Sequence, residues 1–135
     1  MTPVVVDASV AAIWAFDDED APVAEPALAA AIEGLAVAPR LFWYEARNMA
    51  IVGERRKRLT PEQSARFVES LAALDIAIDD EPDERVAFML ARRHGLTFYD
   101  ACYLELAMRM NAAMASLDRA LLRAASAEGV PLLAA

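Results

Sequence analysis

Four acidic side chains stand where simple solvation does not account for them: Asp7, Glu45, Asp100 and Asp118. Asp7 follows the β-branched run Val4-Val5-Val6, and Asp118 comes just after the apolar stretch 112–116. Glu45 shares a helical stripe with Phe42, Met49 and Val52, and Asp100 shares one with Tyr103, Leu104 and Ala107. Both carboxylates are thereby aimed at the interior side of their helices, with no Lys or Arg beside them on the same stripe. An isolated buried carboxylate is costly, and two like charges about 4 Å apart repel by roughly 4 kcal/mol at an effective dielectric near 20. A divalent cation removes that penalty. Hard oxygen donors of this kind select Mg²⁺, with Mn²⁺ able to substitute, and such an ion polarises a phosphodiester and activates water.

Each acid also has a plainer reading. Asp7 is placed to cap the helix that follows it, and Asp118 or Ser116 is placed to cap the last helix. Thr97 and Asp100 have the spacing of a capping box, although Glu or Gln is more usual at the final position. Ser9 is equally suited to a place beside a metal or to capping. Glu45 is the hardest to assign to packing alone. The run Arg55-Arg56-Lys57-Arg58 reads either as a guide for an RNA backbone or as a solvated, dipole-matched helix end. His94, the single histidine, is expected to be structural at a helix C-terminus beside Gly95. Trp14, Phe16, Phe42, Trp43 and Tyr44 are expected in the core or at an interface between two copies.

The elements that would position these groups follow from pattern. Val4–Val6 reads as a strand, leading into a helix through Val10, Ile13, Trp14 and Phe16. After an acidic loop at 17–20, Pro22 opens an alanine-rich helix reaching about Glu33, with Gly34 as its stop. Residues 35–38 form a buried strand that Pro39 ends, and a helix then runs through Glu45 to the basic stretch 55–58. Thr60-Pro61-Glu62 starts another helix, the alternation of Leu74, Ile76 and Ile78 predicts a strand, and a helix runs from near Pro82 to Gly95. Thr97 begins a longer helix through Met108, residues 112–116 form a strand, Asp118 starts the last helix, and 130–133 is a final edge strand. Short apolar strands alternating with helices imply an α/β fold with a parallel sheet covered on both faces. Ligands of such sheets bind outside the carboxyl ends of the strands, where the acids are found.

A chain of 135 residues with 58% hydrophobic and 25% charged residues is expected to form a single domain, residues 1–135, with a real core. The net charge of −8 argues against a protein that coats nucleic acid through clustered Lys and Arg. It does not exclude an acidic chain that works on RNA through a bound cation, because the metal inverts the local field. The first apolar stretch is too short to span a bilayer and lacks a basic flank, so neither signal peptide nor membrane anchor is expected. Cys102 is the only cysteine, which rules out an internal disulfide and fits a cytoplasmic protein.

The segments VVVDASV, WYEARN, LTFYDACYLELA and ASLDRAL, in that order and spacing, resemble the PIN domains, in particular the VapC-type toxin ribonucleases of type II toxin-antitoxin pairs. The resemblance covers nearly the whole chain. It implies a three-layer α/β/α fold with a central, mostly parallel sheet and Mg²⁺-dependent endoribonuclease activity. It implies Asp7, Glu45, Asp100 and Asp118 as the catalytic, metal-holding quartet, with Ser116, Asn48 and Ser9 as supporting groups. It further implies a homodimer and a cognate antitoxin whose C-terminal segment blocks the site, commonly with a basic side chain. Many members carry a further acid soon after the fourth, where this chain has Ala120 and Leu121. The competing reading is a catalytically inactive PIN-like module that only binds protein. A small phosphatase lacks support, because no Asp-x-Asp pair, Gly-rich phosphate loop or Lys-bearing motif lies near Asp7.

Overall fold

A computed structural model describes residues 1–16 and 19–133, with Val4–Val6 (β1) at its centre. All three residues of β1 are buried although successive side chains point to opposite faces, so helices cover the sheet on both sides. Around it lie Ala36–Pro39 (β2), Ala77–Asp79 (β3) and Ala113–Ala115 (β4) in the order β3-β2-β1-β4, every pairing parallel. Parallel neighbours demand crossovers, and the helices supply them: Ala8–Ile13 (α1), Ala24–Ile32 (α2), Arg40–Arg55 (α3), Pro61–Leu74 (α4), Glu84–His94 (α5), Phe98–Arg109 (α6) and Arg119–Ala127 (α7). The predicted α/β architecture with a parallel sheet is the one observed.

The local signals act as their chemistry requires. Thr60 forms both halves of a capping box with Gln63, at 3.1 and 2.8 Å. Asp83 caps α5, and Gly95 closes it at φ 64°. The helix with the most buried side chains, α6, packs against β1 and β2, and its Tyr103, Leu104 and Leu106 are each no more than 1% exposed.

Four expectations need correction. The strand read from the alternation of Leu74, Ile76 and Ile78 starts only at Ala77, because Leu74 ends α4 and Asp75 turns the chain at φ 51°. The alanine-rich helix starts at Ala24, not Pro22, which sits in the preceding turn closed by the Ala24 N–H to the Ala21 carbonyl. Residues 130–133 form no full edge strand. Leu132 makes one parallel bridge to Met114, since Pro131 has no N–H to donate and only its carbonyl accepts from Met114. The helix through Val10 and Ile13 ends before Trp14 and Phe16, which lie in the following turn and loop. The acidic loop expected at 17–20 includes Asp17 and Asp18, which lie outside the described residues.

Candidate active site

The carboxyl ends of β1, β2 and β4 point to one end of the sheet, and the acids follow from that. Asp7 is the first residue after β1, anchored by its N–H to the Ala115 carbonyl at 2.9 Å. Ser116 and Asp118 follow β4 directly, Glu45 lies in the second turn of the helix that leaves β2, and Asp100 lies in the first turn of α6. Asp7, Glu45, Asp100 and Asp118 line one cleft of about 390 Å³ together with Ser9 and Asn48, and no Lys or Arg lines it among the described residues. A larger cleft of about 570 Å³, between the end of α1 and α4, is walled mainly by apolar side chains and holds none of these acids.

Asp7 sits at the N-cap position of α1 yet makes no capping hydrogen bond with its side chain. Its Oδ2 instead accepts from the hydroxyls of Ser9 at 2.8 Å and Ser116 at 2.7 Å. Both hydroxyl oxygens accept in turn from backbone N–H groups, Leu117 to Ser9 at 3.0 Å and Asp118 to Ser116 at 2.9 Å. That directs their protons onto Asp7 and leaves Oδ1 without a hydrogen bond among the described residues. A carboxylate only 7% exposed is thus oriented rather than neutralised.

Glu45 Oε1 accepts from the Tyr103 hydroxyl at 2.7 Å. Burial pushes the Glu45 carboxyl above its ordinary range, the Tyr103 bond opposes the shift, and the charges of Asp7 and Asp100 add to it. Tyr103 is itself held far above the ordinary phenol range by burial and then by Asp7 and Glu45, so it stays a donor. Asp100 is likewise raised, first by burial, then by the charges of Asp118 and Asp7, against the Thr97 hydroxyl. Thr97 accepts from the Asp100 N–H at 3.1 Å, so its capping role and the exposure of the Asp100 carboxylate to the cleft coexist. For Asp118 the plain reading holds at one atom: Oδ1 accepts from the Leu121 N–H at 3.0 Å, capping α7 while the residue also lines the cleft.

Among the described residues no three His, Cys, Asp or Glu side chains form a ready-made metal cage. The donor set still fits a hard divalent ion. Mg²⁺ keeps several waters and is held through one or two carboxylates, and four carboxylates line this cleft with no Lys or Arg among the described lining residues to compensate them.

Tyr103 is the group that sequence reading placed only on the Asp100 stripe; its step of three from Asp100 was the available signal. His94 is structural, bonded through Nε2 to Glu128 Oε2 at 2.6 Å across the ends of α5 and α7. Of the aromatics, Phe42 is buried, whereas Trp43 and Tyr44 are 46% and 60% exposed.

A parallel α/β domain with an acidic cleft at its strand ends defines the class, and the comparisons give the family. The PIN domain model matches residues 4–127, and the chain belongs to that family. It is 33% identical over 120 residues to Ribonuclease VapC3 of Pyrobaculum aerophilum, covering 87% of this chain and 90% of that protein. Among solved structures, PAE2754 from Pyrobaculum aerophilum superposes with a TM-score of 0.71 at 22% identity, covering 91% of this chain and 79% of the other. FitAcB from Neisseria gonorrhoeae gives 0.66 at 17% identity, with 96% of each chain covered. These two likenesses speak to the fold.

Proposed function

We propose that this chain is a VapC-like, Mg²⁺-dependent endoribonuclease, active as a single PIN domain. The observation that carries the reading is that four carboxylates from separate elements open onto one cleft with no lining cation. The named ribonuclease among its relatives supports the same activity. Asp7, Glu45, Asp100 and Asp118 are the groups that would hold the ion, which when bound supplies Lewis-acid polarisation and an activated water. Ser9 and Ser116 fix Asp7, Tyr103 and the helix stripe fix Glu45, and Asn48 offers an amide to the substrate or to a hydrating water.

Two partners belong to the proposal. The first is a cognate antitoxin that blocks the cleft with a basic side chain, which the uncompensated acids would attract. The second is another copy of this chain, for which the exposed Trp43, Tyr44, Phe88, Phe98 and Tyr99 provide apolar surface. A cytoplasmic setting accords with the unpaired Cys102. No helix among the described residues is long and apolar enough to cross a membrane.

The test is cleavage of a mixed panel of structured RNAs by the purified, partner-free chain in Mg²⁺, in Mn²⁺ and in EDTA. Cleavage that needs the metal is the expected result. No cleavage under any condition together with no metal binding would return the chain to the protein-binding module, and undiminished cleavage in EDTA would overturn the metal-dependent mechanism.

A further inference from the structure

The acidic cleft continues past Ser9, Asn48, Met49 and Leu117 into a second cleft of about 370 Å³ that shares those four residues. One helix forms the track between them. Glu45, Asn48, Met49 and Val52 recur at steps of three and four along α3, on one stripe, and Arg56, the C-cap of α3, follows at the next step of four. Eleven residues at about 1.5 Å each carry that stripe roughly 16 Å from the acids to its far end.

The sign of the charge reverses over that distance. Arg56 and Arg58 line the far end of the second cleft, and both are exposed. Their placement is built into the backbone. Lys57 adopts φ 59°, its N–H donates to the Glu54 carbonyl at 2.9 Å, and the Arg58 N–H donates to the Gly53 carbonyl at 2.8 Å. This paired closure turns the chain back sharply at the helix end. Arg58 is held over the Phe16 ring at 4.1 Å and against Glu19 at 3.0 Å. The Arg56 side chain makes no hydrogen bond or ion pair among the described residues, while its N–H donates to the Val52 carbonyl at 2.9 Å. Ala12, Ile13, Met49 and Val52 wall the space between acids and arginines.

Resting on the nuclease reading, we propose that this second cleft seats the RNA strand on one side of the scissile bond, with Arg56 meeting a backbone phosphate. At the ~3.4 Å spacing of stacked nucleotides the 16 Å track spans about five of them. Apolar walls accept base faces and the arginine end accepts phosphate, which are the two parts of a single-strand groove. On a chain of net charge −8, it gives the polyanion an entry of opposite sign next to the acids.

Binding of a short, labelled single-stranded RNA with phosphorothioate linkages, which slow any cleavage, tests this by anisotropy in Mg²⁺ over a salt series. Arg56→Ala should weaken binding roughly fivefold and lower the salt slope by about 0.7, while Arg56→Lys should keep most of the affinity. Arg55→Ala removes the same charge one residue away, off the stripe, and should stay within about twofold of the parent chain. Equal losses in Arg56→Ala and Arg55→Ala, or no RNA binding by the parent chain in Mg²⁺, would overturn the groove. Cleavage of unmodified RNA by the parent chain is scored separately, so that failure of the nuclease reading and failure of the groove are told apart.

Discussion

At the scale of single residues, the proposed chemistry rests on carboxylates kept oriented and short of positive charge. Asp7→Asn or Asp100→Asn is expected to lower RNA cleavage at least about a hundredfold while leaving circular dichroism and thermal unfolding near the parent chain. Retained cleavage would remove that residue from the site. Tyr103→Phe deletes the hydroxyl that Glu45 accepts from, and should cost about tenfold in metal affinity or activity, with the loss deepening at lower pH because the bond that opposes the Glu45 shift is gone. The same shifts make a stability prediction. Glu45 and Asp100 have folded-state pKa values above their ordinary 4.5 and 3.8, so their protonated forms favour the fold. Their contribution is present below the ordinary values and lost as pH rises through the raised ones. Thermal unfolding in EDTA should therefore show this contribution fading over that window, and Mg²⁺ should stabilise the chain increasingly above it. An Mg²⁺ effect that does not grow with pH would contradict the assignment.

Among the elements, what was legible depended on how local the signal was. Thr60-Pro61-Glu62, and Gly95 after three basic residues, are complete within one turn, and both helix ends stand where they were read. The stripes carrying Glu45 and Asp100 were likewise readable, because helical periodicity places a side chain on a face without knowledge of the rest of the chain. What those side chains meet was not. Tyr103 reaches Glu45 from 58 positions away, and Asp79 reaches Arg109 from 30. Glu105, only 2% exposed, pairs with Arg109 at the local i,i+4 spacing, but the onward bridge from Arg109 to Asp79 is announced by no local pattern. The edge strand at 130–133 failed for a different reason: its apolar residues suited a strand, but Pro131 limited it to one bridge. The capping box allows a direct check, since Thr60→Ala should cost about 1 kcal/mol in denaturant unfolding with cleavage unchanged. A loss of activity at equal stability would mean that the N-terminus of α4 serves the site.

For the whole molecule, the parallel sheet explains why residues as distant in sequence as Asp7 and Asp118 share one cleft. Each parallel crossover returns the chain to the same end, so every strand delivers its following loop there. The convergence of the acids was therefore readable from the alternation of strands and helices, and Ser9 and Ser116 were named from the family resemblance, whereas the Tyr103 support of Glu45 needed the packed structure. The exposed Trp43 and Tyr44 add a prediction at this scale: the chain should sediment as a dimer, and Tyr44→Arg should shift it toward monomer. The central claim is that the acids form a divalent metal site that cuts RNA. It is met most directly by titrating Mn²⁺ into the metal-free chain and into Asp7→Asn, followed by paramagnetic resonance, with RNA cleavage scored on the same samples. The account predicts saturable Mn²⁺ binding and cleavage in the parent chain and loss of both in a variant that remains folded. Equal Mn²⁺ binding and equal cleavage in the two chains would contradict it.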